Sequence, residues 1–272
     1  MEEAFMSSYE HIQLTRREGV ATLVLNRPET RNAMTPAMGE EIVAAVEELR
    51  ADTEVRVVVL TGSGKSFSSG GDLGMLARDT GLKTDGEAPS MHGSPRDFYL
   101  RYLALRHLPM PTIAAINGHA IGAGLCIALA CDLRVASTAA RMGMTFTKLG
   151  IHPGMGATFF LPRLIGTSRA CDLLFTGRVL DAAEAERLGL VNRVAPPEQF
   201  DAAVSALAQE IAAAGPIAVR LVKRAVYRGG HHTLEEMLDF ESLQQSHTFT
   251  TADAREGVAA VMEKRTPRFV GR

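Results

Sequence analysis

The chain is poor in the features that mark several protein classes. It has no tryptophan, three cysteines in 272 residues, and no basic excess, with 29 Lys and Arg against 31 Asp and Glu. Nucleic-acid-binding proteins commonly carry surplus Lys and Arg to neutralise phosphates, so a net charge of −2 without a basic block argues against that class. Cys126, Cys131 and Cys171 all lie in apolar stretches; three such residues do not make a disulfide framework and suit a reducing cytosol. No stretch reaches the ~18 unbroken apolar residues of a membrane span. The start, with Glu2 and Glu3, lacks the basic-then-apolar pattern of a secretory signal. The expectation is a cytoplasmic protein with no membrane span, long enough for one sizeable core.

Fingerprints of common ligand sites are missing as well. Thr61-Gly62-Ser63-Gly64-Lys65-Ser66 resembles the end of a phosphate-binding P-loop, but that motif needs glycine five residues before Gly64, where Val59 stands inside an apolar run. Neither GxGxxG nor GxSxG occurs in the glycine-rich windows, which removes the dinucleotide fingerprint and the nucleophile elbow. His231, His232 and Glu235 form no convincing metal set, because adjacent histidines at a helix start point to different faces. No cofactor and no metal are expected.

What is present is clustered glycine. Of 25 glycines, 11 fall in three windows, Thr61 to Gly74, Gly118 to Gly124 and Gly150 to Gly156. Such density marks either tight turns or backbone that closely approaches a partner. Around the windows, Val20 to Leu25 and Val55 to Leu60 read as buried strands, with weaker versions at Thr112 to Asn117 and Leu133 to Ala136. Thr35-Pro36 is an N-cap followed by proline, and Met38, Ile42, Val46 and Leu49 follow at helical spacing. Strand, helix, strand order indicates an α/β core. From Pro196 the character changes to helix. Phe200, Val204, Leu207 and Ile211 mark one amphipathic segment ending at Gly215-Pro216; others follow at Ile217 to Tyr227, after the capping box Thr233-x-x-Glu236, and from Ala254 to Arg265. Residues 1–195 are taken as a core and 196–272 as a helical region, whose apolar faces pack either on that core or on another subunit.

Three segments together resemble the crotonase (enoyl-CoA hydratase/isomerase) family. They are Lys65-Ser66-Phe67-Ser68-Ser69-Gly70-Gly71-Asp72-Leu73, the run from Pro111 through Asn117-Gly118-His119-Ala120-Ile121-Gly122-Ala123-Gly124 to Cys131-Asp132, and Leu149-Gly150-Ile151-His152-Pro153-Gly154-Met155-Gly156. Weaker matches at Leu25 to Pro28, Gly189 to Asn192 and Glu263 to Arg265 extend the likeness along nearly the whole chain. The resemblance implies a spiral of ββα units followed by a C-terminal helical region that builds homotrimers, often paired into hexamers. It implies acyl-CoA thioesters as substrates, with coenzyme A as part of the substrate. It also implies an oxyanion hole of two backbone N–H groups, at Gly71 and Ala123. Such donors stabilise charge developing on a thioester oxygen without reorganising. By the same resemblance Ser69 contacts the adenine, and Lys65 and Lys264 lie near the CoA phosphates.

The chain departs from the hydratase pattern at the two glutamates that handle water. The first position, two residues after Gly124, is Cys126; the second, four residues before Gly150, is Phe146. Between Phe98 and Cys171 the only carboxylate is Asp132, beyond the second motif, where the family uses it structurally. General acid/base groups contribute roughly 10²–10⁴-fold in rate, so syn hydration is disfavoured here. Cys126 is flanked by Leu125 and Ile127 and reads as a small core hydrophobe, since burial raises a thiol's pKa. His152 is the remaining catalytic candidate, because it can titrate near neutral pH; its alternative is a hydrogen bond to its own turn. His119, Tyr99 and Tyr102 are further candidates, the tyrosines equally suited to packing a helix with Phe98 and Leu105. Three functions stay open: an enoyl-CoA hydratase/isomerase family enzyme whose chemistry need not be hydration, a non-catalytic acyl-CoA-binding protein, and another reaction of this fold (isomerase, thioesterase, decarboxylase or dehalogenase) using His152 or a tyrosine.

Overall fold

The structure is a computed structural model in which residues 9–82 and 94–272 are described. Strands β1 (Ile12–Arg17) and β2 (Val20–Leu25) form an antiparallel hairpin. Its two turn residues, Glu18 and Gly19, both have positive φ, the conformation that matches the right-handed twist of the strands it joins. Helix α1 (Pro36–Ala51) opens where Thr35 accepts a hydrogen bond from Met38 N–H, and its buried face carries Met38, Ile42, Val46 and Leu49. The 3.6-residue apolar period and the Thr-Pro cap thus produce the expected helix.

The chain then repeats one plan. A long strand joins a large sheet, a short strand joins a small one, and a helix follows. The first unit is β3 (Val57–Gly62), β4 (Ser66–Ser68) and α2 (Leu73–Asp79), with α3 (Pro95–Leu103) beyond it. Next come β5 (Thr112–Ile116), β6 (His119–Ile121) and α4 (Ala123–Ala130), then β7 (Leu133–Ser137), β8 (Arg141–Gly143) and the helices α5 (Ala157–Ile165) and α6 (Thr167–Thr176). Strand β9 (Val179–Asp181), α7 (Ala182–Leu188) and β10 (Arg193–Ala195) complete the sheets. The large sheet runs β1-β2-β3-β5-β7-β10 and is parallel from β2 onward; the small sheet runs β4-β6-β8-β9. The expected spiral of ββα units is the architecture observed.

Several strand boundaries differ from those read off the sequence, β3 ending at Gly62 rather than Leu60 and β7 at Ser137 rather than Ala136. Strand β3 starts at Val57 rather than Val55, because register is set by its neighbour: Val20 pairs with Val57, and Arg56 and Val57 N–H bond to the hairpin-turn carbonyl of Gly19. Strand β5 stops before Asn117, whose amide turns aside and donates to the carbonyls of Gly62 and Gly64. Strand β3 also shows how the sheet makes two cores. Val58 and Leu60 face the main core with α1 and α4, whereas Val57 and Val59 face a second cluster with Ile113, Ala115 and Val135. Period-two alternation on a strand buried on both faces produces that division.

The second cluster is closed by α8 (Pro197–Ala212), which buries Phe200, Val204, Leu207, Ala208 and Ala212. Of the late helices this one packs on its own sheet. Helices α9 (Pro216–Gly229), α10 (Leu234–Phe249) and α11 (Ala252–Glu263) behave differently: Pro216 is the buried residue of α9, and α10 has none. Polar tethers hold α9 instead, Arg220 donating to Val55 O and Lys223 to Met110 O while lying 2.8 Å from the Asp132 carboxylate. The last helix spans residues 252–263 rather than 254–265, because Thr251 caps its start and Lys264, with φ of 54°, ends it. Leu207→Ala should destabilise the protein by about 2–5 kcal/mol through the cavity it leaves under the sheet, measured by urea unfolding.

Candidate functional site

The site is assembled where the first two glycine windows meet. Asn32, fully buried and in the left-handed region, anchors the first. Its Nδ2 donates to the carbonyls of Ser63, Ser66 and Phe67 at 2.9, 2.8 and 3.2 Å, and its Oδ1 accepts from Arg27 N–H. Ser68 Oγ donates to Asn32 O and accepts from Gly70 N–H. Met34 then forms a parallel bridge around Gly71, with Met34 N–H bonding to Gly70 O and Asp72 N–H to Met34 O. Because strand-like backbone alternates, the N–H of Gly71 itself points away from Met34. Among the described residues it donates to nothing.

The second window supplies the facing donor. Gly122, with φ of 54°, is the N-cap of α4, and Leu125 and Cys126 N–H both close on its carbonyl. Ala123 is therefore the first helical residue, whose N–H has no intrahelical acceptor. It too donates to nothing among the described residues. Every residue of α4 is buried, and the positive end of its dipole lies at Ala123. The two segments pack backbone to backbone. A β-carbon at Gly124 would fall 2.5 Å from Ser68 O; one at Gly70 would fall 2.6 Å from Ile121 O and 3.4 Å from Ala123 N. Only glycine permits these approaches, and the second places the Gly70-Gly71 backbone against the Ala123 amide.

Both amides line one cavity of about 830 Å³. Its walls include Met75 and Leu76 from α2, Phe98 and Tyr99 from α3, and Phe146 and Met155, with Ser69, Asp72, Asp79 and His152 as polar members. Phe146 approaches Gly122 and presents an apolar ring. Cys126 lies behind the wall. Its Sγ donates towards Gly154 O at 3.5 Å and contacts Met144 Sδ, and burial pushes the thiol pKa up to about 12. It is the small core residue that its flanking sequence predicts. His152 is exposed at the cavity, its Nδ1 lying 2.8 Å from Pro153 O. A carbonyl only accepts, so this hydrogen bond requires a proton on Nδ1.

The other candidates scatter. Ser69 lines the cavity, with its N–H bonded to Arg31 O and its hydroxyl to Thr30 O. Lys65 and Lys264 are exposed and do not line it, and His119 is exposed on β6 away from it. Tyr102 is fully buried and donates to Thr35 O at 2.7 Å, a packing role. Tyr99 is on the wall, its hydroxyl against Gly154 and its pKa raised by burial. Asp132 binds Thr112 N–H and Oγ1, Lys223 and Tyr227, far along α4 from Ala123. Two residues escaped the sequence reading. Asn32 carries no motif of its own, and only its buried amide shows its role. Asp79 lies outside the stretch searched for carboxylates, yet its spacing from Met75 and Leu76 is that of one helix face. Among the described residues no set of three His, Cys, Asp or Glu side chains converges as a metal site.

The site is thus a pair of backbone amides at the joint of two ββα units, on a cavity with a largely apolar wall. The profile of the family described as Enoyl-CoA hydratase/isomerase matches residues 15–272. The human enoyl-CoA hydratase domain-containing protein 2, mitochondrial, is 40% identical over 260 residues, covering 94% of this chain and 87% of its own. The crystal structure of enoyl-CoA hydratase from Bacillus anthracis superposes with a TM-score of 0.87 at 36% identity, covering 97% of this chain and all of that one. A second structure, an enoyl-CoA hydratase from Geobacillus kaustophilus, has a TM-score of 0.88 at 30% identity, covering 99% of this chain and all of its own. The chain belongs to the enoyl-CoA hydratase/isomerase family of the crotonase superfamily. Thiol labelling reports the site's inner wall: iodoacetamide at pH 8 should modify half-buried Cys171 first and leave Cys126 unmodified until the protein is denatured, as read by peptide mass spectrometry.

Proposed function

We propose that this chain binds acyl-CoA thioesters and stabilises negative charge on the thioester oxygen with the N–H groups of Gly71 and Ala123. The observation that carries the reading is the pair of unpaired amides facing one cavity. Ala123 is buried and Gly71 half-buried, and two such donors left without protein acceptors on one cavity are suited to a ligand that completes them. An enolate or tetrahedral oxyanion gains most from such donors, because they are already oriented in a low-dielectric site. Ser69 at the cavity and the exposed Lys65 and Lys264 are the proposed contacts of the CoA portion. Coenzyme A enters as part of the substrate, and the chemistry proposed for these residues needs no separate cofactor.

Hydration is not the reaction best supported. A thiol with a pKa near 12 behind the wall and a phenyl ring on it replace the two glutamates, and neither moves a proton as a carboxylate does. A different reaction of this fold is favoured by His152, an imidazole on the cavity wall. The non-catalytic acyl-CoA-binding alternative differs in one respect: it requires no base. No single helix among the described residues is long and apolar enough to cross a membrane, and the free cysteines suit a reducing compartment such as the cytoplasm.

Ala123→Pro tests the donor pair, because proline is tolerated at the first helical position while removing its N–H. Calorimetric titration with a non-reactive thioester analogue should show at least ~10-fold weaker binding, the loss of a hydrogen bond to a polarised group, with circular dichroism unchanged. Equal affinity in the folded variant would overturn the assignment. Crotonyl-CoA hydration, followed as loss of enone absorbance, should be at least ~10²-fold slower than in a glutamate-bearing relative.

The same reading includes a homotrimer or a hexamer. Val222, Val226, Leu238, Leu243, Val258 and Val261 on α9, α10 and α11 are all exposed, and apolar side chains gathered on one helical region suit a subunit interface. Sedimentation equilibrium at micromolar concentration should return three or six times the 29.2 kDa chain mass; a monomer would remove this part of the proposal.

A further inference from the structure

Asp79 has no structural explanation in the protein. It is the last residue of α2, where a negative charge meets the negative end of the helix dipole. Its Oδ1 is enclosed and accepts no hydrogen bond, and among the described residues Asp79 forms no ion pair. Among the described residues, Asp79 lines the cavity next to apolar and aromatic walls. Each feature disfavours a carboxylate there, and a local rule broken without compensation commonly marks a ligand contact. From the acyl-CoA binding proposed above, on which this inference rests, we infer that Asp79 selects acyl groups carrying a hydroxyl beyond the β-carbon.

The position follows from the helix. A β-carbon at Gly71 would lie 3.8 Å from the tips of both Met75 and Leu76, so that part of α2 borders the oxyanion-binding amides. Asp79 is three and four residues further on the same face, about one helical turn, ~5 Å, along the axis. On this inference, a thioester whose oxygen sits at Gly71 and Ala123, with its CoA portion on the Ser69 side, has its acyl chain towards Asp79. The chemistry of the substituent follows from two groups. Asp79, when ionised, only accepts, whereas the Tyr99 hydroxyl on the same cavity can donate and makes no hydrogen bond among the described residues. A substrate hydroxyl both donates and accepts. An ammonium group offers no acceptor for Tyr99, and an unsubstituted alkyl chain leaves both protein groups unpaired.

The experiment compares hydrolysis-resistant ketone thioether analogues of hexanoyl-CoA, plain or hydroxylated at the γ, δ or ε carbon, by isothermal titration calorimetry. The wild-type protein should bind one hydroxylated analogue at least ~10-fold more tightly than the plain one, the contribution of a hydrogen bond to a charged group. Asp79→Leu should abolish that preference while binding the plain analogue at least as well, with a melting temperature equal to or above wild type. Asp79→Asn, which keeps an acceptor, should retain part of the preference, and it carries the comparison if the leucine variant does not fold. A wild-type protein without preference, a preference that survives in Asp79→Leu, or tighter binding of an ammonium-bearing analogue overturns the inference and leaves acyl-CoA binding standing. Failure of the wild type to bind even the plain analogue overturns both.

Discussion

The site depends on two backbones lying closer than side chains allow. Gly124 stands against Ser68 and Gly70 against Ile121, so the loop before α2 and the turn before α4 touch through main-chain atoms. That contact brings the amides of Gly71 and Ala123 to one cavity. It also explains why the anchoring is polar and buried. With no side chains at the joint, the loop cannot be held by apolar packing, and Asn32 holds it instead through three carbonyls. A buried amide with its donors and acceptors satisfied specifies one geometry, which a donor pair aimed at a single oxygen requires.

Within that frame, the walls decide the chemistry. The close approaches at Gly70 and Gly124 that position the Gly71 and Ala123 amides involve neither the Cys126 nor the Phe146 side chain. Cys126 is on the buried helix and turns into the core, while Phe146 turns to the cavity. Polar groups that line the cavity come from other elements, among them His152 from the third glycine window, Tyr99 from α3 and Asp79 from α2.

The helical region also divides by physics. Helix α8 presents its apolar stripe to the large sheet and is part of the core, whereas α9 is held by Arg220 and Lys223 through carbonyls and Asp132. Polar tethers position α9 without covering its apolar face. The exposed valines and leucines of α9 to α11 consequently remain available for association, which is the arrangement expected where subunits, and not the sheet, complete the burial.

Much of this was determined by sequence alone. Periodicity located β2 residue for residue and α1 with its Thr35 cap, because a buried face imposes a pattern of two or 3.6 that local residues must satisfy. The glycine windows exposed the site for the same kind of reason: a missing side chain is written in the sequence wherever backbones must approach. Tertiary structure alone decided the rest. The short strands β4, β6, β8 and β9 are too brief to carry a period, and the start of β3 was set by pairing with Val20. That α8 serves the core while α9 to α11 face outward could not be read from four similar amphipathic patterns. Nor could Asn32 or Asp79 be singled out, since a polar residue becomes informative only when its burial and its hydrogen-bond partners, or the lack of them, are known.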